Sequence, residues 1–126
     1  MALRPIDIIV INDTNSILKF GYAIALHGKV PYVSLGDATL KMNGDRCTIH
    51  AEEEEDAVDG SGVQGSFSFL FQDYSDRVFN FSYNYPGKIC QTYARVSGPT
   101  GYNYKTNINH LSENSAVYTI ILQKLE

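Results

Sequence analysis

Gly60-Ser-Gly-Val-Gln-Gly-Ser-Phe-Ser-Phe-Leu-Phe71 is followed by Gln72-Asp-Tyr-Ser-Asp76 and then by Arg77-Val-Phe-Asn-Phe-Ser-Tyr-Asn-Tyr85. Phe67, Phe69 and Phe71 recur at spacing two, as do Phe79, Phe81 and Tyr83. Side chains alternate between the faces of a strand, so each set covers one face. The polar residues between the runs make a turn. The stretch predicts an antiparallel hairpin with an aromatic stripe on its inner face.

Outside the hairpin, turn signals again separate short strands. Ile6 to Ile11 is a β-branched run ended by Asn12-Asp13. Ile17 to Leu26 is a long strand with a bulge or bend at Gly21. Pro31 to Leu35, Ala38 to Met42 and Arg46 to Ala51 read as short extended pieces, with Asn43-Gly44-Asp45 a strong turn. Glu52 to Asp59 is an acidic loop. Ile89 to Val96 and Tyr102 to Ile108 read as strands, Asn109 to Ser115 as room for one helical turn, and Ala116 to Leu125 as a closing strand with Tyr118, Ile120 and Leu122 on one face. No stretch sustains the apolar spacing of an amphipathic helix. The expected architecture is all-β: a single antiparallel β-sandwich domain over 1–126.

Composition narrows the function classes. A net charge of −4 argues against duplex nucleic acid as a partner, because phosphate neutralisation needs a basic face. No apolar run reaches the length of a membrane-spanning helix, and Met1 to Asp7 lacks a signal-peptide core. The expectation is a soluble protein, released without an evident signal peptide. Cys47 and Cys90 fit no zinc spacing; they read as two reduced, partly buried thiols, with a disulfide open if the chain works outside the cell. Asn12-Asp-Thr14 and Asn80-Phe-Ser82 match the glycosylation pattern but fall in or beside strands, as chance matches do.

His27, His50 and His110 share no motif, and neither a nucleophile elbow nor a phosphate-cradling glycine loop is present, so no enzyme, catalytic residue, cofactor or metal is expected. The run Glu52-Glu-Glu-Glu-Asp56 lacks the spacing of a calcium loop and reads as a solvated, self-repelling segment, or as a patch for a basic partner. The tyrosines are more suggestive. Tyr83, Tyr85, Tyr93, Tyr102 and Tyr104 crowd into a short span with Lys88 and Arg95. Tyrosine suits a wet interface or a membrane surface, and its ring face attracts cations. The competing reading packs about half of these rings in the core.

The hairpin resembles that of the aegerolysins and, more remotely, the actinoporins. The likeness lies in the glycine-rich entry Gly60 to Gly65, the aromatic strands Ser66 to Phe71 and Val78 to Tyr83, and the loop Tyr85-Pro-Gly-Lys88. Ser112 to Leu122 is similar to the family's closing strand, and Ile8 to Thr14 to its first strand and turn. The resemblance implies a membrane lipid-binding toxin component, a cytolysin or insecticidal protein, acting at a target-cell membrane with a second, pore-forming protein. Two departures stand out. Asn84 to Lys88 replaces the tryptophan-rich motif of the fungal members, and Ile6 already begins a strand where actinoporins carry an amphipathic helix.

The expected lipid or headgroup site is therefore Tyr83, Tyr85, Tyr93, Tyr102 and Tyr104 for the surface, with Lys88 and Arg95 for phosphate or an acidic headgroup. The alternative is a carbohydrate-binding lectin on the same sandwich, the tyrosines stacking on sugars and Asn84, Asn103 and Asn107 bonding hydroxyls. A third reading is a self-assembling sandwich that forms a homo-oligomer and binds no small ligand.

Overall fold

The computed structural model describes residues 5–36, 38–54, 62–73, 77–85, 93–111 and 115–125. They form ten strands: β1 (Ile6–Asp13), β2 (Leu18–His27), β3 (Tyr32–Leu35), β4 (Thr39–Leu40), β5 (Asp45–Ala51), β6 (Val63–Phe71), β7 (Val78–Tyr85), β8 (Tyr93–Ser97), β9 (Tyr102–Leu111) and β10 (Ala116–Lys124). One sheet has the order β3-β5-β1-β10-β9 and the other β4-β2-β6-β7-β8. Their inner faces enclose one hydrophobic core, so the architecture is the expected β-sandwich. One pairing departs from the antiparallel rule. β1 and β10 run parallel, Ile6 opposite Ala116 and Asp13 opposite Gln123, which the crossing of nearly the whole chain between them permits.

The Phe/Tyr hairpin forms as its spacing predicts. β6 and β7 pair with Phe67 opposite Phe81 and Phe69 opposite Phe79. Phe67 and Phe81 stack at 4.7 Å between centroids, and Phe69 meets Phe81 edge-on at 5.8 Å. Such pairs add about 0.5–1.5 kcal/mol each beyond the area they bury. Against them pack Ile6, Ile8, Val10, Tyr118, Ile120 and Leu122 from the other sheet, the last three on one face of β10 as expected.

Asn12, next to last in β1, ties the loops below the core. It is fully buried. Its Nδ2 donates to the carbonyls of Ser16 at 2.8 Å, Leu40 at 3.2 Å and Lys41 at 3.1 Å, while its Oδ1 accepts the Thr14 hydroxyl at 2.6 Å. A side chain so placed cannot carry a glycan, in keeping with a chance match. Asn43 and Gly44, both at positive φ (65° and 97°), turn the chain from β4 into β5.

The sequence-based boundaries shift in three places. Ala38 to Met42 contributes only Thr39–Leu40 as strand, pairing with Leu18 and Lys19. Asn109 to Leu111 is not a helical turn: β9 continues to Leu111, opposite Ala116, because the long β10 ladder offers partners to the whole segment and a register shift beside Val117 absorbs Asn109. The acidic run also needs correcting where it is described. Glu53 is buried, and its Oε1 accepts the Gly62 N–H at 2.9 Å, while Glu52 pairs with Lys29 at 3.2 Å. Cys47 is buried in β5, whereas Cys90, Glu55 to Asp59, and Tyr85's following turn at Pro86-Gly87 lie outside the described residues.

Candidate functional site

The alternation that buries the aromatic stripe turns the other half of each strand outward. Register across the second sheet then sets outward residues in rows. Ile24 lies opposite Ser66, Ser66 opposite Ser82, and Ser82 opposite Arg95. The adjoining row runs from Ser68 through Asn80 to Ser97, and the next from Gln64 through Asn84 to Tyr93. Small hydroxyl and amide side chains thus pave the middle of this face, with larger residues at its two margins.

A cleft of about 340 Å³ opens over this paving. Ser66, Asn80, Ser82 and Ser97 lie along it, Tyr22 forms one margin, and Arg95 with Tyr104 forms the other. That volume is at the small end of ligand sites. Tyr104 comes from β9 of the opposite sheet. It pairs with the core residue Leu122, yet it is 39% exposed. The Arg95 guanidinium carbon lies 4.2 Å from the centroid of the Tyr93 ring, two residues back on the same face of β8. No carboxylate pairs with Arg95 among the described residues, so the N–H edges of its stacked guanidinium remain available. A second hollow of about 250 Å³, sharing Asn80 and Ser97, continues toward Arg77 and Pro99.

A bulge in β2 places Tyr22. Register slips between Phe20 and Ala23, and the displaced Tyr22 N–H donates to the Ser68 hydroxyl at 3.0 Å. Gly21 makes room for this: a Cβ there would sit 2.4 Å from Ser68 Oγ. The Tyr22 hydroxyl then donates to Asn80 Oδ1 at 2.9 Å across the cleft floor. Beyond Tyr22, Ile24 and Leu26 follow at spacing two and are 50% and 66% exposed, an apolar stripe that continues along β2 from the cleft residue Tyr22.

Comparison with solved structures finds this sandwich again. The chain superposes on the RahU protein, solved in complex with a TRIS molecule, with a TM-score of 0.72 and 14% identity over 100% of this chain and 98% of that one. It superposes on IP-1A from Alcaligenes faecalis with a TM-score of 0.67 and 18% identity over 99% and 94% of the two chains. The fold is shared. At these identities the likeness shows the fold, which is compatible with the aegerolysin-like sandwich expected from the hairpin. No family model and no curated protein matches the chain.

Within this frame the seven expected site residues part company. Tyr93, Arg95 and Tyr104 come together at the cleft. Tyr83 and Tyr85 do not: both are fully buried on the inner face of β7, where they extend the aromatic stripe, and neither can supply a recognition surface. Gly65 leaves space for the Tyr83 ring, since a Cβ there would lie 2.4 Å from its hydroxyl. Burial pushes the Tyr83 phenol up to about 12, and the Tyr118 phenol is raised for the same reason; neither hydroxyl has a hydrogen-bond partner among the described residues. Tyr102 is half-buried and meets Phe71 and Phe79 edge-on at 5.1 and 5.6 Å, capping the core at the Asn12 end instead of joining the cleft. Lys88 lies outside the described residues.

The asparagines of the lectin alternative do not converge. Asn84 lies beside Tyr93 on one sheet, whereas Asn103 and Asn107 sit on β9 of the other, Asn103 accepting the Tyr104 N–H at 2.8 Å. The cleft residues that sequence reading missed are Tyr22, Ser66, Asn80, Ser82 and Ser97. Their signal was present in the polar half of the aromatic strands, Ser66/Ser68 and Asn80/Ser82/Asn84, which point opposite to the core.

A second polar cluster lies on the outer face of the first sheet. His50 bonds Asp7 Oδ1 through Nδ1 at 2.5 Å and faces Glu52 Oε2 at 3.5 Å. Burial tends to raise the Glu52 carboxyl, but its hydrogen bonds and charge contacts with Lys29 and His50 outweigh this and hold it below 4.5. Among the described residues no group of His, Cys, Asp and Glu is arranged to hold a metal ion.

Proposed function

We propose that this sandwich is a membrane lipid-binding protein of toxin type that takes a lipid headgroup in the Tyr22–Arg95–Tyr104 cleft. The observation that carries the reading is the union, on one face, of an exposed apolar stripe with an uncommitted cation. Tyr22, Ile24 and Leu26 offer apolar surface of a kind that marks interaction sites when contiguous. Arg95, stacked on Tyr93 at the other margin of the cleft on the same sheet face, offers charge-assisted hydrogen bonds to phosphate. A bilayer presents both chemistries at once, hydrocarbon below and phosphate above. The resemblance of the hairpin to the aegerolysins supports the toxin assignment and is the sole ground for a second, pore-forming protein as partner.

Co-sedimentation with a panel of dye-loaded vesicles tests the proposal. Binding without leakage is expected, the dye being released only when the partner is supplied. Failure to bind any vesicle would overturn the lipid reading. The lectin reading keeps one supporting observation, the hydroxyl-rich floor of the cleft, and inhibition of vesicle binding by free neutral sugars would favour it.

A further inference from the structure

We infer that the cleft selects a phosphorylated polyol headgroup, with its phosphate on Arg95 and its hydroxyls on the floor. The inference rests on the lipid-binding reading and deepens it. Three features of the cleft carry it.

The first is the floor. Ser66 and Ser82 stand in the same row as Arg95, and Asn80 and Ser97 in the next. A serine hydroxyl both donates and accepts, and an asparagine amide does both through separate atoms. Asn80 Oδ1 already accepts from Tyr22, which leaves its Nδ2 to donate. Such a floor matches a ring carrying several hydroxyls. It is wasted on a headgroup without them, because polar groups covered by an apolar ligand lose their water and gain nothing.

The second is the cation of the cleft, Arg95 alone among the described residues that line it. Arg95 stands against the serine row, and its fork suits two oxygens of one phosphate. The chain as a whole is acidic at −4, so diffuse attraction to an anionic bilayer is opposed and a local cation such as Arg95 is what selects anionic lipid.

The third is the occupied ring. Choline is held by open aromatic faces. The Arg95 guanidinium lies 4.2 Å from the Tyr93 ring and lines the cleft together with Tyr104, so a quaternary ammonium placed at either ring would meet a like charge. Tyr104, at the cleft margin, remains to lie against the C–H face of a polyol ring.

The test uses vesicles of phosphatidylcholine alone, or with an equal minor fraction of phosphatidylinositol or phosphatidylserine, and soluble glycerophosphoinositol as competitor. The variants are Ser66→Val with Ser82→Val, outward strand positions where valine keeps β propensity, and Arg95→Lys. The wild type should prefer phosphatidylinositol vesicles to phosphatidylserine vesicles by roughly tenfold, as a few hydrogen bonds to a charged ligand supply. The double valine variant should lose this preference while retaining its unfolding midpoint, and Arg95→Lys should weaken binding to phosphatidylinositol vesicles. Glycerophosphoinositol should compete; competition without any vesicle binding would keep the polyol site, assign it a soluble phosphate source and overturn the lipid reading. Equal binding to phosphatidylinositol and phosphatidylserine, or a preference for phosphatidylcholine alone, would overturn the polyol inference and leave lipid binding standing.

Discussion

The Ser68 hydroxyl accepts the backbone N–H of Tyr22 at 3.0 Å, and through this bond a β-bulge becomes the wall of the cleft. Ser68 is almost wholly buried and the bond is partly buried, so removing the hydroxyl takes away the partner of the bulged N–H. Ser68→Ala should therefore cost about 1–2 kcal/mol. Gly21→Ala should cost about 1–3 kcal/mol, since the new methyl would lie 2.4 Å from Ser68 Oγ and 2.8 Å from Leu70 Cδ1. Urea unfolding of both variants checks this, and vesicle binding should weaken alongside because Tyr22 loses its fixed direction. Unchanged midpoints would show that the bulge does not depend on this fit.

Tyr83 and Tyr85 should behave as core residues. Removing the Tyr83 hydroxyl, which is buried with no partner among the described residues, should be neutral or stabilise the protein by about 1 kcal/mol and leave ligand binding intact. Tyr85→Ala should instead cost about 3–5 kcal/mol. Thermal or urea unfolding of Tyr83→Phe and Tyr85→Ala separates the two.

Alkaline stability should follow Tyr83. Burial raises its phenol from 10.0 to about 12, so the folded state resists the ionisation that the unfolded chain undergoes. The associated stability is intact below pH 10 and is lost as pH rises toward 12. Tyr83→Phe should remove this part of the alkaline loss, read from unfolding midpoints across that range.

Acid acts through Glu52. Its carboxyl is held below 4.5 despite its partial burial, which favours protonation, because Lys29 and His50 bond and attract the charged form. Stability from this group is present above pH 4.5 and falls as pH drops through the lower folded value, since the unfolded chain then binds the proton more readily. Glu52→Gln should flatten the acid limb of the stability profile below pH 4.5, and an unaltered limb would count against the role of this contact.

Asn12→Ala should be the costliest of the polar substitutions, at about 3 kcal/mol, because it removes the donor to the carbonyls of Leu40 and Lys41 and the acceptor of the Thr14 N–H at once, while the Thr14 hydroxyl and the Ser16 carbonyl keep each other. Denaturant midpoints read this directly.

The sandwich was legible because its signal is local. Phenylalanines at spacing two within β6 and β7 fix both strand type and inner face without reference to the rest of the chain. The parallel match of β1 with β10 was not legible, since it joins segments over a hundred residues apart and leaves no spacing pattern. β9 misled for a related reason: the polar Asn109 and His110 have little strand propensity, and the ladder of β10 overrides it. The site was half legible. Tyr93 and Arg95 are neighbours on one strand, so their pairing follows from alternation, whereas Tyr104 reaches them from the other sheet. Tyr83 was drawn toward the surface by its residue type although the same alternation places it with Phe79 and Phe81 in the core.

The central claim is that ligand meets the outer face of β2, β6, β7 and β8 at Arg95. Backbone amide NMR of the labelled protein titrated with phosphatidylinositol nanodiscs tests it most directly. Shifts concentrated at Tyr22, Ser66, Ser82, Arg95 and Tyr104, and lost in Arg95→Ala, are the predicted result. Shifts confined to the β3–β5–β1 face, or an unaltered pattern in Arg95→Ala, would contradict it.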